Sequence, residues 1–316
     1  MKIVLLESLA ISKETLNGFA SKLEEKGHEF YAYEKTTDED VLIEEAKDAD
    51  VIMIANMPLS GKVIRSCPKL KFIDVAFTGV DHVDLDAAKE CGVAVSNASG
   101  YSNESVAELT IGMMISLLRN IPQVGERCRN QGTKDGLVGR QLQNRTVGIV
   151  GLGAIGKRVA TLLNAFGCKV LTYVRHYDEE FKNLAELVTL DELLAQSDIV
   201  TLHCPLTEET KHMINREKIA LMKKDAILIN CARGPVVDYD ALADALNSGN
   251  LGGAGLDVFE MEPPIPKDHV MLHTPNTIVT PHIAFASEES MVLRAEIVFD
   301  SLDQWMNGNQ INVILN

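Results

Sequence analysis

The sequence predicts an α/β protein with two doubly wound parallel sheets, one in each of two domains. Short apolar segments alternate with amphipathic segments over the first hundred residues, and a second alternating series begins near residue 146. This alternation is typical of parallel sheets, because helices connect their successive strands and pack on the sheet faces. The length of 316 residues also exceeds the usual size of one domain.

The first series predicts strands that are separated by helices. Its apolar segments are KIVLL, VIMIA, LKFIDVAF and VAVSN. The predicted helices span residues 13–26, 41–47 and 84–90. We therefore expect the first hundred residues to form one parallel sheet.

A long helix is predicted for residues 102–120. Ser105 and Glu108 have the spacing of a capping box near its start. Four apolar residues with helical spacing share one face of this helix: Val106, Leu109, Met113 and Leu117.

The second series predicts another parallel sheet, which a final helix follows. Its strands are TVGIVGLG, KVLTYV, IVTLHC, AILINC, AGLDVF and TIVTPH. The amphipathic stretch SEESMVLRAEIVFDSLDQWM then predicts the closing helix.

The composition argues against several classes of function. A net charge of −15 disfavours a nucleic-acid-binding protein, because phosphate backbones attract basic surfaces. Apolar runs are too short to span a membrane, and MKIVLLESLA has the pattern of a first strand rather than of a signal peptide. The six cysteines have neither CxxC pairs nor metal-ligand spacing, so we expect a reduced, cytoplasmic protein without a metal site.

The segment RTVGIVGLGAIGKRVATLLNAF contains a glycine turn between a predicted strand and a predicted helix. Its glycines are Gly151, Gly153 and Gly156. In this context the first glycine makes the turn, the second admits a pyrophosphate and the third lets the helix pack on the strand. The helix N-terminus offers amide donors to the pyrophosphate. We therefore expect a dinucleotide site, the alternative being a tight turn without a ligand.

The strand after this turn ends without the acidic residue that usually binds the ribose hydroxyls. Val174 stands there, followed by Arg175 and His176. An Asp would repel a 2′-phosphate, whereas the guanidinium of Arg175 could bind one with help from His176. We therefore expect NAD(P) with a preference for NADP over NAD. The alternative is a solvated Arg175 and NAD bound through other contacts.

Three later segments, each after a predicted strand, carry candidate catalytic residues. INCARGPVVD contains Arg233, GLDVFEMEPP contains Asp257 and Glu262, and VTPHIAFAS contains His282. Ligands of open α/β sheets bind beyond the carboxyl ends of the strands, so these side chains can converge. An arginine binds a carboxylate, and a histidine paired with an acid transfers a proton, as reduction of a 2-oxo acid requires. Taken singly, each segment could be only structural.

Together with further motifs, these segments resemble the D-isomer-specific 2-hydroxyacid dehydrogenases, which depend on NAD or NADP. The resemblance covers nearly the whole chain, through FTGVDHVDLDAA, GYSNESVAEL, GLGAIG, HCPLTEET, NCARGPVVD, DVFEMEPP and TPHIA. It implies that His282 is the acid/base, Glu262 its hydrogen-bonded partner and Arg233 the residue that binds and polarises the substrate. It also implies that backbone amides at Gly79 and Val80 hold the substrate carboxylate.

The resemblance further implies which residues contact the cofactor. Asp257 matches the position that contacts the nicotinamide carboxamide. The other implied contacts, besides the three glycines and Arg175, are Ala154, Ile155, Cys204, Pro205, Thr210, Cys231 and Ala232.

The family fold implies the domain boundaries. A Rossmann cofactor domain, residues 99–286, would be inserted into a flavodoxin-like substrate domain formed by residues 1–98 and 287–316. Family members are commonly homodimers through the cofactor domain, so residues 102–130 are the expected interface. The expected partners are a small 2-oxo or 2-hydroxy acid and a second copy of the chain, with neither nucleic acid nor membrane.

The expected substrate is hydroxypyruvate or glyoxylate, as in a glycerate dehydrogenase. GYS and TPHIAFA resemble that branch, in which an aromatic residue is common at the position of Phe285. Phosphoglycerate dehydrogenases usually carry an Arg in the segment that matches residues 54–64, which here has no basic residue before Lys62. Phosphoglycerate and D-lactate are the alternative substrates. Oxidation of formate is disfavoured, because formate enzymes of this type typically have Gln at the position of Glu262, whereas oxidation of phosphite is less easily excluded. A protein of another class, a corepressor-like dinucleotide sensor, could retain the same residues.

Overall fold

The computed structural model describes residues 1–176 and 178–316. The chain divides into two compact units. Unit 1 comprises Met1–Ser102 and Ala286–Asn316, and unit 2 comprises Asn103–Phe285. The sequence predicts domain boundaries between residues 98 and 99 and between residues 286 and 287, whereas the two units divide between residues 102 and 103 and between residues 285 and 286. Unit 1 is therefore discontinuous in sequence, and unit 2 is inserted into it.

The regular elements are numbered in chain order over the described residues. The strands are β1 (Lys2–Leu5), β2 (Glu29–Ala32), β3 (Val51–Ile54), β4 (Phe72–Val75), β5 (Ala94–Asn97), β6 (Thr146–Val150), β7 (Lys169–Tyr173), β8 (Glu186–Leu187), β9 (Ile199–Leu202), β10 (Ile227–Asn230), β11 (Gly253–Leu256), β12 (Thr277–Val279) and β13 (Val313–Leu315). The helices are α1 (Lys13–Glu25), α2 (Glu39–Ala46), α3 (Gly61–Arg65), α4 (Leu85–Glu90), α5 (Asn103–Leu118), α6 (Ile121–Arg129), α7 (Ala154–Ala165), α8 (Leu190–Gln196), α9 (Arg216–Leu221), α10 (Tyr239–Asn247) and α11 (Glu288–Met306).

The sheet of unit 1 has the strand order β13-β5-β4-β3-β1-β2. Strands β1 to β5 run parallel, and every residue of β3 and β4 is buried. Such burial is expected of central parallel strands, because helices cover both faces of the sheet. Helix α11 packs against β4, and Trp305 stacks on Phe72 with the ring centroids 4.6 Å apart. The last helix of the chain is therefore part of unit 1.

Two edge strands of this sheet are not predicted from the sequence. Strand β2 (EFYA) is largely exposed, although three of its four residues are hydrophobic. Strand β13 is also mostly exposed, and it pairs antiparallel with β5. The sequence predicts a wholly parallel sheet, so this pairing corrects that prediction. The hydrophobic runs of these edge strands are only three residues long, which is too short to distinguish a strand from a loop in the sequence.

The sheet of unit 2 is parallel and has the strand order β12-β11-β10-β9-β6-β7-β8. The six strands predicted from the sequence are confirmed, and the short, exposed β8 is added at one edge. Alternate residues of β10 belong to different hydrophobic clusters: Leu228 packs with α8, α9 and α10, whereas Ile227 and Ile229 pack with α5 and α7. The predicted class, two doubly wound α/β sheets, is thus confirmed, with β13 as the exception to parallel pairing.

Helix α5 begins earlier than the predicted capping box requires. Asn103 is its first residue, so Ser105 lies inside the first turn rather than at the N-cap, and that prediction is wrong. Glu104 in this turn accepts a hydrogen bond from Arg158 of α7 at 2.7 Å. An acidic residue also stabilises a helix N-terminus, which favours the earlier start. All four residues of the predicted apolar face pack into the core of unit 2.

The carboxyl ends of the strands of unit 2 share one edge of the sheet, because the strands are parallel. The glycine turn follows β6, the Arg233 segment follows β10, Asp257 follows β11 and residues 280–284 follow β12. The fold therefore gathers the candidate catalytic segments at this edge. In the ranges that the structure describes, no helix has both the length and the apolar character needed to cross a membrane.

Candidate active site

The glycine turn connects β6 directly to α7. Gly151 has a φ of +94°, in the left-handed region that glycine adopts without strain. A Cβ at Gly151 would lie 2.8 Å from the carbonyl oxygen of His203. A Cβ at Gly156 would overlap the carbonyl oxygen of Gly151. The backbone thus approaches itself too closely for a side chain at the first and third glycines.

Gly153 is the N-cap of α7, and the space in front of it is open. No atom of the described residues outside its immediate chain neighbours lies within 4 Å of the place where its Cβ would stand. The first-turn amides of α7, including those of Ala154 and Ile155, have no acceptor within the helix. These donors and the positive end of the helix dipole fit the pyrophosphate of a dinucleotide.

Arg175 follows β7 and already has an anionic partner. Its Nη1 donates to Glu209 Oε2 at 2.8 Å, and both side chains are exposed. Val174 packs against the core of unit 2, and His176 is exposed. The acid beside Arg175 is therefore supplied by the 203–210 loop rather than by the end of β7. The sequence gives no sign of this contact, since the two residues are 34 positions apart.

Thr210 fixes the 203–210 loop. Its hydroxyl donates to the carbonyl oxygen of Pro205 at 2.7 Å and accepts from the amide of Thr207 at 2.8 Å. Burial raises the pKa of the Cys204 thiol to about 11, so the thiol is protonated at neutral pH. Thr210 thus shapes the loop that carries Cys204 and Pro205, which are predicted to face the adenosine half of the cofactor.

Asn230, at the end of β10, shapes the segment that leads to Arg233. Its Oδ1 accepts from the amide of Ala232 at 3.0 Å, and its Nδ2 donates to the carbonyl oxygen of Arg233 at 2.9 Å. Sequence reasoning gave no role to Asn230, although an Asn that bonds the backbone two residues on is a known turn device. Burial raises the pKa of Cys231 to about 12, which favours a packing role for this thiol.

Asp257 is fully buried and holds the turn that contains His282. Its Oδ1 accepts from the Thr280 hydroxyl at 2.5 Å and the Ile283 amide at 2.9 Å, and its Oδ2 accepts from the Ala284 amide at 2.8 Å. Burial raises the pKa of Asp257, while these hydrogen bonds oppose the shift. The amide of His282 donates to the Asp257 carbonyl at 2.7 Å, and His282 has a φ of +56°.

The His282 side chain pairs with Glu262. Nδ1 of His282 lies 2.8 Å from Oε2 and 3.1 Å from Oε1 of Glu262. His282 is 13% exposed, whereas Glu262 is 60% exposed. The Phe285 ring meets the imidazole edge-on, with centroids 5.4 Å apart. Because Nδ1 is engaged by the carboxylate, Nε2 is the ring nitrogen that can exchange a proton with a substrate.

All the predicted catalytic and cofactor-binding residues lie in unit 2. Gly79 and Val80 lie in unit 1, on the loop after β4. Asn97 holds this loop, since its Nδ2 donates to the carbonyl oxygen of Thr78 at 2.6 Å. The role of Gly79 and Val80 in binding the substrate carboxylate stays a prediction.

Unit 1 brings a basic side chain to the segment of residues 54–64. Nζ of Lys35 lies 2.5 Å from Glu7 Oε1 and 3.5 Å from Asn56 Oδ1. Glu7 is buried and also accepts two backbone amides of that segment. A cation thus lies beside Asn56 although the segment carries none there, and the buried Glu7 carboxylate compensates its charge.

Known proteins that resemble this chain agree with a dinucleotide site at the glycine turn. The family profile described as D-isomer specific 2-hydroxyacid dehydrogenase, NAD binding domain, matches residues 111–284. The chain is 40% identical over 299 residues to D-3-phosphoglycerate dehydrogenase of Methanocaldococcus jannaschii, covering 93% of this chain but only 56% of that protein. It is 35% identical over 324 residues to hydroxypyruvate reductase of Blautia hydrogenotrophica, covering 99% of both chains.

A solved structure with the same fold is D-lactate dehydrogenase from Aquifex aeolicus, complexed with NAD and lactic acid. Its TM-score is 0.87 at 34% sequence identity, over 100% of this chain and 99% of that one. With the dinucleotide cradle and the His282–Glu262 pair, these matches identify an oxidoreductase that uses a nicotinamide dinucleotide. The chain belongs to the D-isomer specific 2-hydroxyacid dehydrogenase family.

Proposed function

We propose that this dehydrogenase reduces hydroxypyruvate or glyoxylate, with His282 as the acid/base. The observation that supports this most directly is the contact of His282 Nδ1 with both carboxylate oxygens of Glu262. The carboxylate holds the ring in one orientation and compensates the charge of its imidazolium form. Nε2 is then the group that delivers the proton.

The proposed roles follow from the chemistry of each side chain. The nicotinamide, when bound, supplies the hydride that C2 of the oxo acid receives. Arg233 binds the substrate carboxylate and polarises the carbonyl oxygen, which a guanidinium can do with two parallel hydrogen bonds. His282 protonates that oxygen during reduction. In the reverse oxidation His282 must first be deprotonated, so oxidation is expected to be faster at higher pH.

Replacement of His282 by Ala tests this proposal. We expect kcat for hydroxypyruvate reduction to fall by at least about 100-fold, because the general acid is lost. The Kd of the cofactor should stay unchanged, since His282 is not part of the glycine turn. His273, an exposed histidine of the same unit, provides a matched control: His273→Asn should retain the wild-type kcat. Wild-type turnover in the His282 variant would contradict the proposal.

The substrate part of the proposal is supported by likeness to a hydroxypyruvate reductase over 99% of both chains. Phosphoglycerate is the competing substrate, because of the relative from Methanocaldococcus jannaschii and because Lys35 lies beside Asn56. Comparison of kcat/KM for hydroxypyruvate, glyoxylate, pyruvate and 3-phosphohydroxypyruvate decides between them. We expect hydroxypyruvate or glyoxylate to give the highest value. A higher value for the phosphorylated acid would overturn this choice.

The cofactor part of the proposal is a preference for NADP. In this account Arg175 exchanges its contact with Glu209 for the 2′-phosphate of the cofactor. The support is that a guanidinium stands at the end of β7 and that its partner is an exposed carboxylate, whose ion pair contributes little free energy. If Glu209 instead accepts the ribose hydroxyls, the preference would be for NAD.

We also expect a homodimer with residues 102–130 at the interface. Helix α6 lies in this range, none of its residues is buried in the chain, and Ile121 is 49% exposed. Covering such an apolar side chain would favour association. Light scattering would test this, and a monomeric mass at micromolar concentration would contradict it. The cytoplasmic location stays a prediction.

A further inference from the structure

Glu262 lies on an exposed loop, yet its carboxylate is held against the more buried His282. The loop of residues 258–265 follows β11 and Asp257. The side chain of Glu262 is 60% exposed, so burial alone does not hold its carboxylate in place. Contacts that hold the rest of the 258–265 loop therefore help to set the position of Glu262.

His269 makes hydrogen bonds that brace this loop. Its Nδ1 accepts from the amide of Met271 at 3.3 Å. A ring nitrogen that accepts carries no proton, so the proton is on Nε2, which donates to Glu260 Oε2 at 3.0 Å. The His269 side chain is only 8% exposed. The hydrogen bond thus ties Glu260, two residues before Glu262, to a buried group.

The imidazole of His269 also belongs to a cluster of three aromatic rings. It meets Phe259 edge-on at 5.1 Å between centroids and Tyr239 at 6.0 Å. The Tyr239 hydroxyl donates to the carbonyl oxygen of Val258 at 2.5 Å. Both Tyr239 and Phe259 are buried. The beginning of the 258–265 loop is therefore fixed by side chains from α10 and from residue 269.

The same loop packs on the backbone next to Arg233. A Cβ at Gly234 would overlap the carbonyl group of Phe259, so the two backbones are in direct contact. This contact sets the 258–265 loop at a fixed distance from the Arg233 segment. The 258–265 loop is thus held both by its backbone contact with Gly234 and by the contacts of His269 with Phe259 and Glu260.

We infer that His269 is a positioning residue that keeps Glu262 against His282. It acts through the hydrogen bond to Glu260 and the edge-on contact with Phe259, and it does not touch the reacting atoms. The inference rests on the proposed roles of Glu262 and His282. Loss of the brace would let the exposed carboxylate move away from Nδ1, with the consequence that proton transfer slows while substrate and cofactor binding persist.

A double-mutant cycle of His269→Phe and Glu262→Gln tests this inference. Phe keeps an aromatic ring for edge-on packing but removes both ring nitrogens. We expect His269→Phe to lower kcat for hydroxypyruvate reduction about tenfold, which corresponds to about 1.4 kcal/mol. The KM for hydroxypyruvate and the Kd for NADPH should change less than about twofold, because Arg233 and the glycine turn are intact. In the Glu262→Gln background, His269→Phe should have almost no further effect on kcat.

Substitutions of Glu260 give a second test that leaves the His269 side chain intact. A conservative variant of Glu260 should restore the activity that the Ala variant loses. Glu260→Ala removes the acceptor for His269 and should lower kcat, whereas Glu260→Gln keeps an acceptor oxygen and should restore it. His273→Asn is the matched control, since His273 bonds the Lys267 carbonyl of the same segment at 2.7 Å. A loss in His273→Asn equal to that in His269→Phe would contradict a specific role for His269.

The outcomes separate this inference from the proposed function. If Glu262→Gln leaves kcat unchanged, the proposed role of Glu262 fails and the inference fails with it. If Glu262→Gln lowers kcat but His269→Phe lowers it equally in both backgrounds, only the inference is refuted. A fall in kcat that disappears in the Glu262→Gln background supports both.

Discussion

Arg233 is the residue whose loss should weaken substrate binding most strongly. Arg233→Ala should raise KM for hydroxypyruvate by about 100-fold or more, because a charge-assisted hydrogen bond is worth about 1.5–3 kcal/mol and two are lost. Arg233→Lys should recover part of this loss, since it keeps the charge without the planar fork. Steady-state kinetics at saturating cofactor measure the effect. An unaltered KM in the Ala variant would exclude Arg233 as the carboxylate-binding group.

The proposed preference for NADP rests on two residues, Arg175 and Glu209. Arg175→Ala should weaken NADPH binding without changing NADH binding, because only NADPH carries the 2′-phosphate. Glu209→Gln should tighten NADPH binding by about two- to fivefold, since exposed ion pairs are worth up to about 1 kcal/mol. Fluorescence titration of both cofactors at fixed ionic strength measures these constants. Equal weakening of both cofactors in Arg175→Ala would contradict the role given to Arg175.

At the scale of elements, β4 contains a buried acid, Asp74. Its Oδ1 accepts from Ser301 of α11 at 3.3 Å, and within the described residues its Oδ2 has no hydrogen-bond partner. Burial raises the pKa of Asp74 well above its usual value. The unfolded chain releases this proton near pH 4, so the contribution of Asp74 to stability is greatest below that pH and falls as the pH rises.

Asp74→Asn should therefore stabilise unit 1, and more so at higher pH. The amide keeps the shape of the side chain but cannot ionise in the unfolded chain. We expect the thermal midpoint of the variant to exceed that of the wild type by roughly 2–4 °C at pH 8. Calorimetry at pH 5 and pH 8 measures the difference, which should shrink at the lower pH. A difference that is larger at pH 5 would contradict the raised pKa.

The central elements of both sheets could be predicted from the sequence, whereas the edge elements could not. Strands β3, β4, β6 and β10 consist mostly of buried apolar residues, and burial on both faces makes such strands visible in the sequence. Strands β2 and β8 are exposed and carry polar residues, and the pairing of β13 depends on where α11 returns the chain. The start of α5 agrees with the prediction within one residue, whereas the predicted capping box is wrong because Ser105 has the spacing of a cap but lies within the helix.

At the scale of the whole molecule, the site could be predicted where motifs follow parallel strands. The strand ends meet at one edge, so the segments that carry Arg233, Glu262 and His282 could be assigned to this edge from the order of their strands. Side-chain contacts between residues far apart in the sequence could not be predicted, because they depend on how the fold brings loops together and not on a sequence motif. The pair of Arg175 with Glu209 is of this kind, as is Lys35 beside Asn56.

The most direct test of the account is the initial rate of hydroxypyruvate reduction with NADPH and with NADH, together with the configuration of the glycerate formed. We expect turnover to D-glycerate, with a preference for NADPH of about tenfold or more, or about 1.4 kcal/mol. A clear preference for NADH would contradict the proposed cofactor preference but not the proposed reaction. Cofactor binding without reduction of hydroxypyruvate, glyoxylate or any other 2-oxo acid would contradict the central claim and favour a dinucleotide-sensing protein.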